Sequence, residues 1–141
     1  DPKKASANMK DALKINNNDI AAVIAANDAT AGGVIEALAS EGLAGKIPVA
    51  GQDADLAAAQ RIVQGTQTMT VYKPIKTLAE EAAKVAINMV KGEEIKANRK
   101  VNNGKLEVPS LLLLPIAVDE HNMDETIIAD GFHSKNEVYI D

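Results

Sequence analysis

The sequence predicts an α/β protein built on a three-layer parallel sheet, and three observations carry that prediction. Short apolar segments alternate with amphipathic helical segments along the first half of the chain. The first apolar segment, Ile20 to Ala26, is almost unbroken, which is typical of a strand covered on both faces. The resulting order is βαβαβ, and the right-handed crossover rule converts that order into a parallel, layered sheet.

The individual elements follow from local signals in chain order. Asp1 can cap a first helix that has Pro2 at its first position, and Gly42, Gly65 and Gly92 can end later helices. Helices are predicted at residues 3–14, 31–41, 55–64 and 75–91. Strands are predicted at residues 20–26, 47–51 and 68–72, with a strand or connector at residues 108–115 and a short helix around residues 127–128.

Composition and charge exclude several classes of protein. The chain has 141 residues, no cysteine and a net charge of −5 at pH 7, so disulfides and thiolate chemistry are excluded and no nucleic-acid partner is expected. The sequence has no apolar run of the ~18–20 residues that a membrane span requires. It begins Asp1-Pro2-Lys3-Lys4, without an initiator methionine or a signal peptide, so we expect that sequence upstream was removed or is not included.

Polar side chains follow three predicted strands, at the edge where a parallel sheet binds ligands. Asn27 follows the first strand, Asp53 the second and Lys73 the third. An amide, a carboxylate and an ammonium together supply the donors and acceptors that an uncharged, polyhydroxylated ligand requires. These three residues are the predicted ligand-binding set.

Structural roles for the same residues stay open. Asn and Asp after a strand are common helix N-caps. We expect Asp28 or Thr30 to cap the next helix and Asp55 to cap the one after it, which leaves the ligand-binding set free. A salt bridge between Asp53 and Lys73 would satisfy the ammonium without any ligand.

No catalytic or metal site is predicted. Gly32 and Gly33 lack the spacing of a phosphate-binding loop, so close helix packing is their expected role. His121 stands among surface acids, and no serine lies in the motif of a hydrolase nucleophile. We therefore expect a non-catalytic protein that uses neither a metal nor a cofactor.

Several segments of the chain resemble the D-xylose-binding periplasmic proteins of sugar ABC transporters. They are NDATAGG at residues 27–33, GQDAD at residues 51–55, GTQTMTVYKP at residues 65–74, and Gly131-Phe132-His133 near the end. The likeness runs over nearly the whole chain in the order that the family has. The segment that ends in Tyr72-Lys73-Pro74 is the one that indicates xylose rather than another sugar.

The resemblance implies a type I periplasmic-binding-protein fold, in which sugar binds between two α/β lobes and lobe closure is read by a membrane permease. It implies that Asn27, Asp53 and Lys73 hydrogen-bond sugar hydroxyls. Family members are much longer, so the chain is expected to be an incomplete, C-terminal half. The aromatic ring that stacks on the sugar would lie in the missing half, in agreement with the 2% aromatic content.

Further expectations follow from the same resemblance. The implied partners are D-xylose or a related monosaccharide, the missing N-terminal half, and an ABC transporter permease or a membrane sensor, in an extracytoplasmic location. Residues 1–74 would belong to the C-terminal sugar-binding lobe, residues 75–108 to the opposite lobe, and residues 109–141 to a hinge crossing and the tail.

Other functions stay open at this point. They are the effector-binding core of a sugar-responsive transcriptional regulator or sensor, a Rossmann-like enzyme, and a chain that binds nothing by itself. The acidic charge and the lack of a DNA-binding helix-turn-helix count against the regulator. The lack of a phosphate loop or a catalytic dyad counts against the enzyme.

Overall fold

The computed structural model describes residues 1–140, which form two units. One unit contains Asp1–Lys73 and the segment from Ile116 onward, and we call it the sheet unit. The other contains Pro74–Pro115, and we call it the hairpin unit. The chain therefore passes between the units twice. Within the described residues, no helix combines the length and the apolarity that crossing a membrane would take.

Helices and strands alternate through the sheet unit, and a helix followed by a β-hairpin makes up the hairpin unit. In chain order the elements are α1 (Pro2–Ile15), β1 (Val23–Ile24), α2 (Asp28–Ser40), β2 (Val49–Gln52), α3 (Leu56–Val63), β3 (Met69–Tyr72), α4 (Ile75–Lys91), β4 (Arg99–Asn102), β5 (Glu107–Ser110), β6 (Ile116–Val118), a π-helix (Asp124–Ile128) and α5 (Lys135–Val138). The main sheet has the order β1-β2-β3-β6, and β4 pairs with β5.

The α/β class is confirmed, and the first three strands pair in parallel as predicted. The last strand, β6, runs antiparallel to β3 and is not predicted by the sequence pattern. The segment predicted as a strand or connector at residues 108–115 is divided: residues up to Ser110 belong to β5 of the β4–β5 hairpin, and residues 111–115 are a connector. Pro115 has no N–H to donate, and pairing with β3 begins only at the next residue, Ile116.

One face of the sheet carries the hydrophobic core. The register pairs Gly51 with Thr70 and Thr70 with Val118, so alternate buried residues of β2, β3 and β6 point to the same side. Helices α1 and α2 cover the β1–β2 end through a cluster that includes Leu13 and Leu38. Helix α3, the π-helix and α5 cover the β3–β6 end through a second cluster. Each fully buried leucine contributes roughly 1.5–3 kcal/mol to the free energy of unfolding.

The opposite face of the sheet is exposed among residues 1–140. Ile24 is 89% exposed, and Ala50, Met69 and Val71, which lie on the same face, are only partly buried. The expectation that the first strand is covered on both faces is therefore wrong for the described residues. The physical reason is that the helices that form the two clusters all pack on the other side of the sheet.

Helices α1 and α2 touch closely, and two predictions about them are confirmed. The Asp1 carboxylate accepts a hydrogen bond from the N–H of Lys4 at 3.0 Å, so Asp1 is the N-cap of α1. A Cβ added at Gly33 would lie 2.1 Å from the carbonyl oxygen of Pro2. Only a residue without a side chain fits at that contact, which is the packing role expected for the glycine pair.

The hairpin unit exposes an apolar helix. Helix α4 has the predicted bounds and ends at Gly92, whose φ is +70°. None of its residues is buried among the residues that the structure describes. Its exposed apolar side chains include Ile75, Leu78 and Val90, which are 57%, 53% and 90% exposed. An amphipathic helix of this kind normally packs its apolar side against another element.

Tyr72 ties β3 to the C-terminal segment. Its side chain is 2% exposed, its hydroxyl donates to the Asp130 carboxylate, and its ring centroid lies 5.0 Å from that of Phe132. Because side chains alternate along a strand, the next residue, Lys73, points the other way and stays exposed. The tyrosine therefore belongs to the core and not to the edge where the ligand-binding set lies.

We expect the free energy of unfolding to fall as pH rises from about 10 to about 12, and the fall to be smaller in Tyr72→Phe. Burial, together with the hydrogen bond to Asp130, raises the pKa of Tyr72 from 10.0 to about 12. The stability that comes from the neutral phenol is fully present below pH 10 and is lost as pH rises through 12. Urea denaturation at a series of pH values measures the effect. Burial and a hydrogen bond to Asp124 also raise the pKa of Tyr139, but this residue is 42% exposed, so Tyr139→Phe should reduce the fall less than Tyr72→Phe does. An equal reduction in both variants would contradict the assignment.

Candidate functional site

Asp53 and Lys73, two of the three predicted ligand-binding residues, are in direct contact. The Lys73 ammonium Nζ lies 2.7 Å from Oδ1 of Asp53, at the carboxyl ends of β3 and β2. Their side chains are 50% and 40% exposed. The salt bridge that the sequence left open is therefore present, and it faces solvent. Exposed ion pairs contribute about 0–1 kcal/mol to the free energy of unfolding, so a ligand that separates Lys73 from Asp53 would lower the stability of the protein only a little.

Asn27, the third predicted residue, is the N-cap of α2. Its Oδ1 accepts hydrogen bonds from the N–H of Thr30 at 3.0 Å and from the Thr30 hydroxyl at 2.8 Å. The expectation that Asp28 or Thr30 caps this helix and leaves Asn27 free is therefore wrong. The asparagine still has a free donor, because its Nδ2 amide forms no hydrogen bond within residues 1–140. Asn27 can thus cap the helix and donate to a ligand at the same time.

Asp53 lies in a strained turn. Its φ is +101° and that of Ala54 is +56°, a left-handed region that residues with a Cβ rarely adopt. Two such residues in succession cost roughly 1–3 kcal/mol each. Asp55 follows them as the N-cap of α3, as predicted, but its side chain makes no capping hydrogen bond. The strain is concentrated at the residue that carries the exposed carboxylate.

Asp28 is buried beneath this turn instead of capping α2. It is 1% exposed, and its Oδ1 accepts from Nε2 of Gln67 at 2.8 Å. Its Oδ2 accepts from the Thr70 hydroxyl at 2.8 Å and from the N–H of Asp55 at 3.0 Å. The backbone of β2 has room for this carboxylate only because residue 51 is glycine: an added Cβ would lie 2.1 Å from Oδ1.

The charges around the turn are mainly acidic. Burial, followed by repulsion from Asp28 and Asp53, raises the pKa of Asp55 above its ordinary value. Burial lowers the pKa of Arg61, while attraction to Asp28 and Asp55 opposes that shift. The carboxylates at this edge of the sheet can accept hydrogen bonds from hydroxyl groups, and the exposed Lys73 ammonium can donate hydrogen bonds to them.

His133 was not among the predicted site residues, yet it contacts the strained turn. Its Nε2 lies 2.8 Å from the carbonyl oxygen of Ala54. A carbonyl can only accept, so Nε2 carries the proton and donates. Its ring also contacts Phe132, with 4.6 Å between the centroids. The signal for this residue was the Gly131-Phe132-His133 segment, whose position in the fold could not be read from spacing alone.

Residues 1–94 match the family described as "Periplasmic binding protein domain". The chain belongs to that family.

Two curated relatives share more than half of the aligned residues. One is the "D-xylose-binding periplasmic protein" of Haemophilus influenzae, 57% identical over 96% of this chain. The other is the "D-xylose-binding periplasmic protein" of Escherichia coli, 54% identical over 97% of this chain. The match covers 41% and 42% of these two relatives, so the chain spans less than half of their length.

Solved structures agree with the fold. An ABC transporter solute binding protein from Clostridium phytofermentans with bound β-D-glucose has a TM-score of 0.83 and 29% identity, over 98% of this chain and 44% of that one. A carbohydrate transporter solute binding protein from Chloroflexus aurantiacus, in complex with D-glucose, has a TM-score of 0.83 and 28% identity, over 97% of this chain and 41% of that one. The likeness confirms a type I periplasmic-binding-protein fold of which this chain spans a part.

We expect Asn27→Ala to lower the free energy of unfolding by about 0.5–2 kcal/mol, because it removes the N-cap acceptor for the N–H of Thr30. Urea denaturation at neutral pH measures the loss. The control is Asn27→Ser, which keeps a capping oxygen and should retain most of the stability. Equal losses in the alanine and serine variants would show that the cap is not what Asn27 contributes.

Proposed function

We propose that this chain is the C-terminal part of a solute-binding protein that binds D-xylose or a similar pentose for ABC-type uptake. Asn27, Asp53 and Lys73 provide its share of the sugar contacts. The observation that carries the proposal is the exposed Lys73–Asp53 pair, held 2.7 Å apart at the ends of two parallel strands. Crevices outside the carboxyl ends of such strands are where α/β folds bind their ligands.

The chemistry of the three side chains suits a neutral sugar. A sugar hydroxyl can donate to the Asp53 carboxylate or accept from the Lys73 ammonium. Adjacent sugar hydroxyls therefore replace the contact that Asp53 and Lys73 make with each other when no ligand is bound. The Nδ2 amide of Asn27 supplies a further donor. Hydrogen bonds to charged groups are worth about 1.5–3 kcal/mol each, which exceeds the loss from an exposed ion pair.

The choice of xylose has support from the relatives. Both curated relatives above half identity are named as D-xylose-binding, whereas the structural neighbours at 28–29% identity hold glucose. Each relative named here is a binding protein, which favours uptake over both the regulator and the enzyme. The location that goes with this function is extracytoplasmic, and the membrane partner is a permease or a sensor.

The sugar site is completed, in this proposal, by the N-terminal part of a two-lobe protein. The assignment of residues 75–108 to the opposite lobe belongs to the proposal. Two surfaces support it: the exposed apolar residues of α4, and the open sheet face that includes Ile24. Strand β1, at an end of the sheet order, also has an edge that pairs with no other strand of residues 1–140. Closure of two lobes about the crossings between them would enclose the sugar.

We expect Lys73→Ala, in the complete two-lobe protein, to weaken xylose binding by about 1–3 kcal/mol, because sugar and carboxylate lose their shared donor. Isothermal titration calorimetry measures the change. The matched control is Lys84→Ala, which removes the ammonium of another exposed ion pair, Lys84–Glu81 at 2.6 Å, and should leave affinity unaltered. Unchanged affinity in the Lys73 variant would remove this residue from the site.

We expect the isolated 141-residue chain to bind xylose weakly or not at all, and to gain affinity when the complementary N-terminal polypeptide is added. The aromatic stacking surface and the second wall of the cleft would come from that polypeptide. Calorimetry with and without the added polypeptide tests the expectation, with mass measurement by light scattering to follow complex formation. A monomeric chain that binds xylose with micromolar affinity by itself would contradict it.

A further inference from the structure

The strained turn at Asp53 and Ala54 is held at each of three successive N–H groups. The N–H of Asp53 donates to the carbonyl oxygen of Val71 at 3.0 Å. The N–H of Ala54 donates to the Thr70 hydroxyl at 3.2 Å, and the N–H of Asp55 donates to the Asp28 carboxylate at 3.0 Å. A left-handed turn in residues with side chains persists only where its surroundings fix it in this way.

The hydrogen bonds that lead from Arg61 through Gln67 to Asp28 allow only one assignment of donors and acceptors. The Arg61 guanidinium has no acceptor, so its Nε must donate to Oε1 of Gln67, at 3.0 Å. This fixes the orientation of the Gln67 amide, whose Nε2 then donates to Asp28 and to the carbonyl oxygen of Met69, at 3.2 Å. Gln67 is 2% exposed, so its amide is shielded from bulk solvent.

Thr70 is oriented in the same manner. Its oxygen accepts from the N–H of Ala54, so its single hydroxyl proton is left to donate to Asp28. Every neighbour of the Asp28 carboxylate is therefore a donor, and both of its oxygens must accept. A carboxylate meets that requirement, whereas the amide of asparagine would place a donor against a donor.

We propose that Asp28 is a positioning residue for the sugar site. Its buried carboxylate holds the N–H of Asp55 directly and that of Ala54 through Thr70, and so aims the Asp53 side chain at the sugar. This inference rests on the proposed function, in which Asp53 binds a sugar hydroxyl. Asp28 itself, at 1% exposure, does not touch the ligand.

The test is a paired swap of carboxylate and amide in the complete two-lobe protein, read by calorimetric xylose affinity. Asp28→Asn alone sets two donors face to face, and Gln67→Glu alone sets two acceptors face to face. Each should weaken xylose binding by about 10-fold or more. The double variant Asp28→Asn/Gln67→Glu restores a donor between residues 28 and 67 but leaves the Met69 carbonyl oxygen, which Gln67 bonds at 3.2 Å, without its donor. Its affinity should therefore recover toward the original value and exceed that of either single variant.

A second readout separates positioning from general stabilisation. Amide hydrogen exchange in the sugar-free protein should accelerate at Asp53, Ala54 and Asp55 in each single variant, and return toward the original rates in the double variant. Affinity that is unchanged in Asp28→Asn, or a double variant as weak as the singles, would overturn the proposal. So would uniform acceleration of exchange over the whole protein with no excess at the turn.

Three additional variants cover the remaining outcomes. Asp53→Ala tests the proposed function. If this variant binds xylose normally, the proposed function fails at Asp53. If only Asp28→Asn binds xylose normally, the positioning role of Asp28 fails and the proposed function stands.

If Asp28→Asn does not fold, Thr70→Val and Thr70→Ser test the positioning role instead. Valine removes the hydroxyl that links Ala54 to Asp28 and should weaken binding, whereas serine keeps the hydroxyl and should not. Equal affinity in these two variants would overturn the proposal.

Discussion

A carboxylate buried under the end of a sheet has to find donors for both of its oxygens, and that requirement organises this site. Asp28 obtains them from β3, from the segment before β3 and from the start of α3. An unsatisfied buried acceptor would cost on the order of 1–3 kcal/mol, and a charged one more. The three elements cannot separate without paying that penalty. The same contacts explain why residue 51 is glycine, since a Cβ would collide with the carboxylate.

Local sequence patterns predicted most of the fold, and they predicted the observed placement of two of the three candidate site residues. The alternation of elements gave the parallel pairing of β1, β2 and β3, and position after a strand brought out Asp53 and Lys73. Asn27 caps α2, the role that was expected of Asp28 or Thr30, and Asp28 is buried instead. Adjacent residues of nearly the same shape can each cap a helix, and which one points into the interior depends on Gln67 and Thr70, far along the chain.

Features that depend on distant residues could not be read from the sequence. Strand β6 pairs with β3 although the hairpin unit separates the two strands in the sequence, and no local pattern near Ile116 indicates a strand of the main sheet. His133 meets Ala54 across a separation of 79 residues. The left-handed backbone at Asp53 is equally hidden, because neither Asp53 nor Ala54 is a glycine. Each of these features is set by tertiary contacts, not by local propensity.

The division of the sheet unit into two stretches of chain has a consequence for the order in which the protein matures. The second hydrophobic cluster joins Ile62 and Tyr72 to Val118, Met123 and Val138, so about half of it is translated after the hairpin unit. Long-range pairing of this kind slows folding, and it leaves α3 of a nascent chain without its packing partners until the residues that follow the hairpin unit emerge. The turn at Ala54 would receive its hydrogen bond from His133 only after 79 further residues have been translated.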